Sequence, residues 1–180
     1  MVRSQELART VRITERSVQG IGRHVETIER WRMYRHILIP TDGSELAEHA
    51  VTNGLALAKS VGAKVTVIIV EDPFDWLSVS ETRARQALDD LAKYYEQWKK
   101  HAASVLSRVA DAAKQAGVPY DTMQVENARP YQAIIAAASD RGCDLIVMAS
   151  HGRGGLSAVV LGSVTNKVLT HTKTPVLVYR

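Results

Sequence analysis

The residues best suited to chemistry lie in the stretch ASHGRGGLSAVVLGS, residues 149–163. It contains four glycines and three serines, between an apolar run that ends at Met148 and a helical pattern that begins near Ser163. Glycines let backbone amides approach phosphate oxygens without a Cβ in the way, and a helix N-terminus favours anions. A minimal strand-to-helix connection needs only about two to six residues, fewer than this one has. We therefore predict a phosphate-binding loop, in which Ser163 and Thr165 add hydroxyls near the helix start and Arg153 adds a charge; a merely tight connection is the alternative.

The loop lacks the marks of two common phosphate-binding motifs. It has no Gly-Lys-Ser/Thr end as in a Walker loop, and it does not follow the first strand, as a dinucleotide fingerprint should. His151 lies within it, but no nucleophile or paired carboxylate is spaced to make this histidine a catalytic base. We expect His151 to make a polar contact or to face solvent, and we predict neither a catalytic residue nor a metal site.

Hydrophobic periodicity predicts strands that alternate with helices. Short β-branched or apolar runs predict strands at 36–40, 64–70, 120–126, 144–150 and 175–179. Apolar residues spaced three to four apart predict the helices between them. The first is capped by Ser44 and Gly62, a long one ends at Gly117, one is opened by Pro130, and the last covers roughly 164–171.

This alternation predicts an α/β fold: a doubly wound five-stranded parallel sheet of order 3-2-1-4-5, with helices on both faces. In such a sheet, ligands bind beyond the carboxyl ends of the strands that flank the switch point, here the first and the fourth. The turn PTDGS, residues 40–44, follows the first strand, and the glycine loop follows the fourth. The sequence therefore predicts that this turn and this loop meet at one binding site.

Composition indicates a soluble, cytoplasmic protein. The chain has 180 residues, of which 46% are hydrophobic, and a single cysteine, Cys143. No apolar run approaches the about 20 residues that a membrane span needs. One cysteine excludes an internal disulfide and fits a reducing cytosol.

The positive charge is concentrated in the first 32 residues. They hold seven Arg, no Lys and four Glu, a surplus of +3 out of the total +4, which leaves +1 for residues 33–180. The body of the chain therefore lacks the clustered basic residues that nucleic-acid binding needs. We predict an Arg-rich extension over 1–32, disordered or helical, and a folded domain over 33–180. The extension is either an arm that meets a partner or a stretch translated upstream of a start codon at Met33.

Three motifs resemble the universal stress protein family over residues 34–180: ILIPTDGSELAEHAV, DLIVMASHG and GSVTNKVLTHTKTPVLVYR. The ATP-binding branch of that family carries Gly-x2-Gly-x9-Gly-Ser/Thr in this loop. Gly152, Gly162 and Ser163 keep the spacing, and Ala149 stands in the leading glycine position. Alanine allows an inward N–H at negative φ and is strained at positive φ.

The resemblance implies that the loop glycines and the serine contact phosphates and ribose. It also implies that the aspartate of the first turn contacts the adenosine part and that a valine ending the second strand lies against adenine. Gly155, inside the nine-residue spacer, is expected to act as flexible cover. The resemblance carries these roles to Asp42, Val70, Gly152, Gly162 and Ser163, with Pro40 and Thr41 shaping the turn and Val164 adding a backbone amide. Ala149, His151, Arg153 and Gly155 of the loop complete the predicted nucleotide-binding site.

We therefore predict a stress-response regulatory domain that binds ATP, with Mg²⁺ as an optional companion, and acts as a nucleotide-dependent sensor. The alternative is a dimeric scaffold protein of the same family whose loop no longer binds nucleotide, which Ala149 favours. Slow ATP hydrolysis would require a base and a positioned water that the sequence does not identify. The final strand, TPVLVY, has no Lys to deter edge pairing, and the resemblance implies a homodimer through this C-terminal edge strand.

Overall fold

The computed structural model describes residues 33–73, 84–152 and 161–180, without the side chains of residues 84–89. Within these ranges five strands alternate with four helices, as the sequence predicts. They are β1 (His36–Thr41), α1 (Glu45–Val61), β2 (Lys64–Glu71), α2 (Ala84–Ala116), β3 (Tyr120–Glu126), α3 (Pro130–Asp140), β4 (Leu145–Ala149), α4 (Ser163–His171) and β5 (Val176–Tyr179). The predicted extension over 1–32 lies outside the described residues, so the boundary near Met33 stays a prediction.

All strand pairs are parallel, and the strand order is β3-β2-β1-β4-β5. This confirms the predicted fold class. The switch point lies between β1 and β4, because the chain winds from β1 through β2 to β3 on one side and continues through β4 to β5 on the other.

Two apolar layers cover the two faces of the sheet. Alternate residues of β1, such as Ile37 and Ile39, pack with α1 and α2, while Leu38 packs with α3 and α4. Cys143 belongs to the second layer, where burial raises the pKa of its thiol to about 11. A thiol of that pKa is a poor nucleophile, so Cys143 serves packing.

The predicted caps of α1 are present. Ser44 accepts a hydrogen bond from the Ala47 N–H at 3.4 Å, and Gly62 ends the helix at a φ of 68°. The left-handed conformation explains the glycine at position 62. None of the described helices is long and apolar enough to cross a membrane.

His36 of β1 forms hydrogen bonds with residues near the amino ends of β2 and β4. Its buried ring places Nδ1 3.0 Å from the Arg141 carbonyl oxygen and Nε2 2.8 Å from Thr66 Oγ1. Since a carbonyl only accepts, Nδ1 carries the hydrogen and Nε2 of the neutral ring accepts from the hydroxyl. Burial, reinforced by the positive charge of Lys64, lowers the pKa of His36 below its usual 6.5, against the weaker opposite effect of Asp144.

We expect the folded state to lose stability as the pH falls below about 6.5, because the unfolded chain then binds a proton at His36 and the folded chain resists it. His36→Gln keeps a donor and an acceptor without titrating, so it should flatten the dependence of the thermal midpoint on pH between about 7 and 5. His49→Gln, at an exposed position of α1, should keep the wild-type slope. An unchanged slope in His36→Gln would contradict this assignment.

Candidate functional site

A gap opens at the switch point because β1 and β4 separate before either strand ends. Their paired register covers only Ile37 with Leu145 and Leu38 with Ile146, although β1 continues to Thr41. The pairing of β1 with β2 runs on to Thr41. The separation therefore lies only on the β4 side.

Pro40 gives a physical reason for this separation. The His36 carbonyl accepts from the Asp144 N–H at 2.9 Å, which shows that His36 directs its backbone groups toward β4. Backbone groups alternate along a strand, so residue 40 would direct its N–H to the same side. Proline has no N–H, and the ladder to β4 cannot continue there.

The turn after β1 is organised by its own side chains. Oδ1 of Asp42 accepts from the Ser44 backbone N–H at 3.0 Å and from the Ser44 hydroxyl at 2.7 Å. Oγ1 of Thr41 accepts from the Gly43 N–H at 3.2 Å. These bonds hold the Asp42 carboxylate at the start of α1, beside the gap between the strands.

The loop after β4 is closed at its base by backbone bonds of Ser150. Its N–H donates to the Tyr179 carbonyl at 2.7 Å, and its carbonyl accepts from the Gly162 N–H at 2.8 Å. Ser150 Oγ also lies 3.1 Å from Nδ1 of His151. Position 162 has little spare room, since a Cβ there would lie 3.1 Å from the His151 Cα and 3.2 Å from the Ser150 oxygen.

Turn and loop meet at Gly152. A Cβ on Gly152 would collide with Oδ2 of Asp42, so the backbone of the loop lies directly against the carboxylate of the turn. The meeting of these two segments, which the sequence predicts from the switch point, is present in the structure. A side chain at 152 would displace the Asp42 carboxylate, so glycine permits this close approach.

A cavity of about 180 Å³ lies beneath the meeting point of turn and loop. Its walls are mostly apolar, and their polar side chains are those of Thr41, Asp42, His151 and Thr165. The lining residues are Pro40, Thr41, Asp42, Ala47, Ile68, Val70, Pro130, Ile134, Met148, Ala149, His151, Gly152, Val164 and Thr165.

Eight of the predicted site residues are among these lining residues: Pro40, Thr41, Asp42, Val70, Ala149, His151, Gly152 and Val164. Gly162 and Ser163 lie instead at the N-terminus of α4, where Ser163 is exposed. Arg153 and Gly155 lie outside the described residues. That any of these residues binds nucleotide stays a prediction.

Ala149 adopts a conformation that suits alanine. It ends β4, paired with Tyr179, and no described non-glycine residue has a positive φ. Its carbonyl accepts from the buried Thr165 hydroxyl at 2.9 Å, which fastens α4 to the end of β4. The substitution of the leading glycine by alanine therefore introduces no backbone strain.

The cavity also includes residues that the sequence did not indicate for the site: Ala47, Ile68, Pro130, Ile134 and Met148. Thr165, predicted to add a hydroxyl, lines the cavity as well, but its hydroxyl donates to the Ala149 carbonyl. Met148 and Ile134 belong to the apolar layer formed with α3 and α4. Periodicity could have marked them as buried. It could not have shown that their layer ends at a cavity.

The lining offers few groups for acid–base chemistry. Of the described lining side chains, only those of Asp42 and His151 are ionisable. Nor do the described residues contain a group of three or more His, Cys, Asp or Glu that could hold a metal ion. The site is suited to recognising a ligand with an apolar part and a polar part.

Fold and site together define a doubly wound α/β domain with a ligand cavity at its switch point. The model of the universal stress protein family matches residues 33–180. The chain belongs to the universal stress protein family, as its three motifs predict.

Individual members of the family show how far the likeness extends. A universal stress protein of Methanocaldococcus jannaschii is 31% identical over 148 residues, which cover 82% of this chain and 83% of the relative. A universal stress protein solved in complex with cAMP is 25% identical, with a TM-score of 0.61 over 82% of this chain and 97% of that chain. A universal stress protein from Archaeoglobus fulgidus in complex with dAMP has a TM-score of 0.57 over 82% of this chain and 99% of that one, and at 17% identity it shows the fold alone.

Proposed function

We propose that this domain binds an adenine nucleotide, ATP, in the switch-point cavity and acts as a nucleotide-dependent sensor in the stress response. One observation carries the proposal. The turn over residues 40–44, here called the Asp42 turn, contacts the loop over residues 149–163, here called the Gly152 loop, above an apolar cavity at the N-terminus of α4. A 25% identical member of the family was solved in complex with cAMP, which supports an adenine nucleotide as the ligand class.

The base would occupy the apolar part of the cavity. Ile68 and Val70 of β2, Pro40 of β1 and Ile134 of α3 surround this space. At about 180 Å³ the enclosed space is smaller than the roughly 300–1,000 Å³ typical of pockets for whole drug-sized ligands. It suits the base, with the ribose near Asp42 and the phosphates outside.

The phosphates would then reach the backbone of the glycine loop and the start of α4. Gly162 is the N-cap of this helix and makes no side-chain cap bond. Free N–H groups at a helix start, together with the positive end of the helix dipole, favour an anion. Ser163 and Val164 contribute the first helical amides, and Arg153 and Gly155 belong to the same loop in sequence.

Magnesium would enter with the nucleotide. The described residues hold no cluster of carboxylates that could bind it, and Mg²⁺ commonly bridges phosphate oxygens while retaining its waters. In the proposed complex the phosphates therefore hold the ion.

The proposal predicts a ligand-specific gain in stability. ATP at about a hundredfold excess over its dissociation constant should stabilise the fold by about 2.7 kcal/mol, and adenosine should do much less because it lacks the phosphates. Asp42→Ala should weaken the effect of ATP by removing an adenosine contact, whereas Asp111→Ala, at an exposed position of α2, should not. Thermal unfolding and titration calorimetry measure both quantities.

The same titrations separate the alternatives. Ala149→Gly should bind ATP as the wild type does, because Ala149 is unstrained. If the wild type fails to bind ATP and Ala149→Gly binds it, the scaffold function replaces the sensor. If ATP is bound and stays intact for hours with magnesium present, a sensor is supported over a hydrolase.

We also propose that the protein forms a homodimer through β5. Within the described residues β5 pairs only with β4, so its other edge is open. Leu177 of β5 and Leu169 of α4 are 38% and 41% exposed. An open edge beside exposed apolar side chains favours pairing with a second copy across a two-fold axis.

A further inference from the structure

A side chain of helix α2, that of His101, forms a hydrogen bond with the Asp42 turn. Nε2 of His101 lies 3.3 Å from the Asp42 carbonyl oxygen. Because a carbonyl oxygen only accepts, Nε2 donates this bond. A side chain from the middle of α2 therefore reaches the turn that holds the Asp42 carboxylate beside the cavity.

Gly43 brings the same turn into direct contact with α2. Its φ is +75°, and a Cβ there would lie 2.7 Å from Cγ2 of Val105 and 3.3 Å from Nε2 of His101. The turn therefore has no room to move toward α2. Its approach to the helix is fixed by packing.

Packing supports the turn less well on the side of α1. A second cavity of about 160 Å³ lies between α1 and α2, and Thr41, Glu48, Val105 and Arg108 are among its walls. Glu48 and Arg108 are exposed, so this pocket is a groove open to solvent, and Thr41 of the turn forms part of its wall. The bond from His101 is then a directional restraint on the backbone at Asp42.

We propose that His101 is a positioning residue of the nucleotide site. Its hydrogen bond to the Asp42 carbonyl sets the orientation of this residue, whose carboxylate lies between Ser44 and the backbone of Gly152. His101 is not among the residues that line the cavity, so its proposed role is exerted through Asp42. This inference rests on the proposed binding of ATP.

A double-mutant cycle tests the role of His101. His101→Leu removes the donor and should weaken ATP binding about fivefold, the net worth of one hydrogen bond. His101→Gln places an amide donor at similar reach and should restore most of the affinity. In an Asp42→Ala background, His101→Leu should cause no further loss, because the side chain that it positions is gone.

The dissociation constant of each variant for ATP is measured by calorimetry. His49→Leu, at an exposed position of α1, is the matched control and should bind ATP as the wild type does. Should His101→Leu fail to fold, His101→Phe is a second variant without the donor and should show the same loss. Equal losses with and without the Asp42 side chain, or no recovery with His101→Gln, would overturn the positioning role while ATP binding stands. A wild type that does not bind ATP would remove the proposed function and this inference together.

Discussion

Gly152→Val should weaken ATP binding by about fivefold to a hundredfold, because the added side chain cannot coexist with the present position of the Asp42 carboxylate. Overpacking of this kind costs about 1–3 kcal/mol, and 1.4 kcal/mol corresponds to a tenfold change in affinity. The branched Cβ would push apart the turn and the loop that form the proposed site. Titration calorimetry with ATP measures the loss directly.

The fold should survive this substitution, since Gly152 is exposed and lies outside both apolar layers. Lys173→Val is the control. It places valine at an exposed position before β5, at the amino ends of the strands, whereas the site lies at their carboxyl ends. This variant should bind ATP normally. Wild-type affinity in Gly152→Val would show that the contact between Gly152 and Asp42 has no part in binding.

Val178→Pro should convert the proposed homodimer into a monomer. The carbonyls of Pro175 and Tyr179 accept from the N–H groups of Ile146 and Ser150 at 2.9 and 2.7 Å, so these residues face β4. Backbone groups alternate along a strand, and Val178 therefore directs its N–H to the open edge. Proline removes this donor and leaves the pairing with β4 in place.

Val178→Ala keeps the outward N–H and should remain dimeric, which separates the backbone effect from the loss of side-chain volume. Light scattering or sedimentation at micromolar concentration distinguishes the two states. A wild type that is monomeric, or a Val178→Pro variant that is still dimeric, would contradict pairing through β5.

The order of strands and helices could be predicted because each element carries its own local signal. β-branched residues such as those of KVTVIIV mark β2, and Ser44 and Gly62 mark the two ends of α1. The predicted strand ends were wrong by one residue at Thr41 and Glu71, which extend β1 and β2. They were also wrong by one residue at 144, 150 and 175, which lie outside β4 and β5. Parallel strands require helical crossovers, so this alternation predicted a parallel sheet. The predicted order 3-2-1-4-5 is one of the orders that doubly wound sheets adopt, and it is the order observed.

The candidate site was predictable only where a motif or the switch point marked it. Pro40, Asp42 and Gly152 fall into that class, and all three line the cavity. Pro130 and Ile134 do not, because their place in the wall depends on how α3 packs over the sheet. His101 lies still further from any motif, more than fifty residues along the chain from the carbonyl to which it donates.

The amino-acid sequence by itself determined the elements of this protein, their order and the family to which it belongs, since propensity, spacing and motifs are local properties of the chain. The tertiary structure decided what depends on contacts between distant segments. It shows that the pairing of β1 with β4 ends after Leu38, that the Gly152 backbone lies against the Asp42 carboxylate, and that Ala149 ends a strand without strain. Such contacts are set by the packing of helices on a twisted sheet, which no single stretch of sequence encodes.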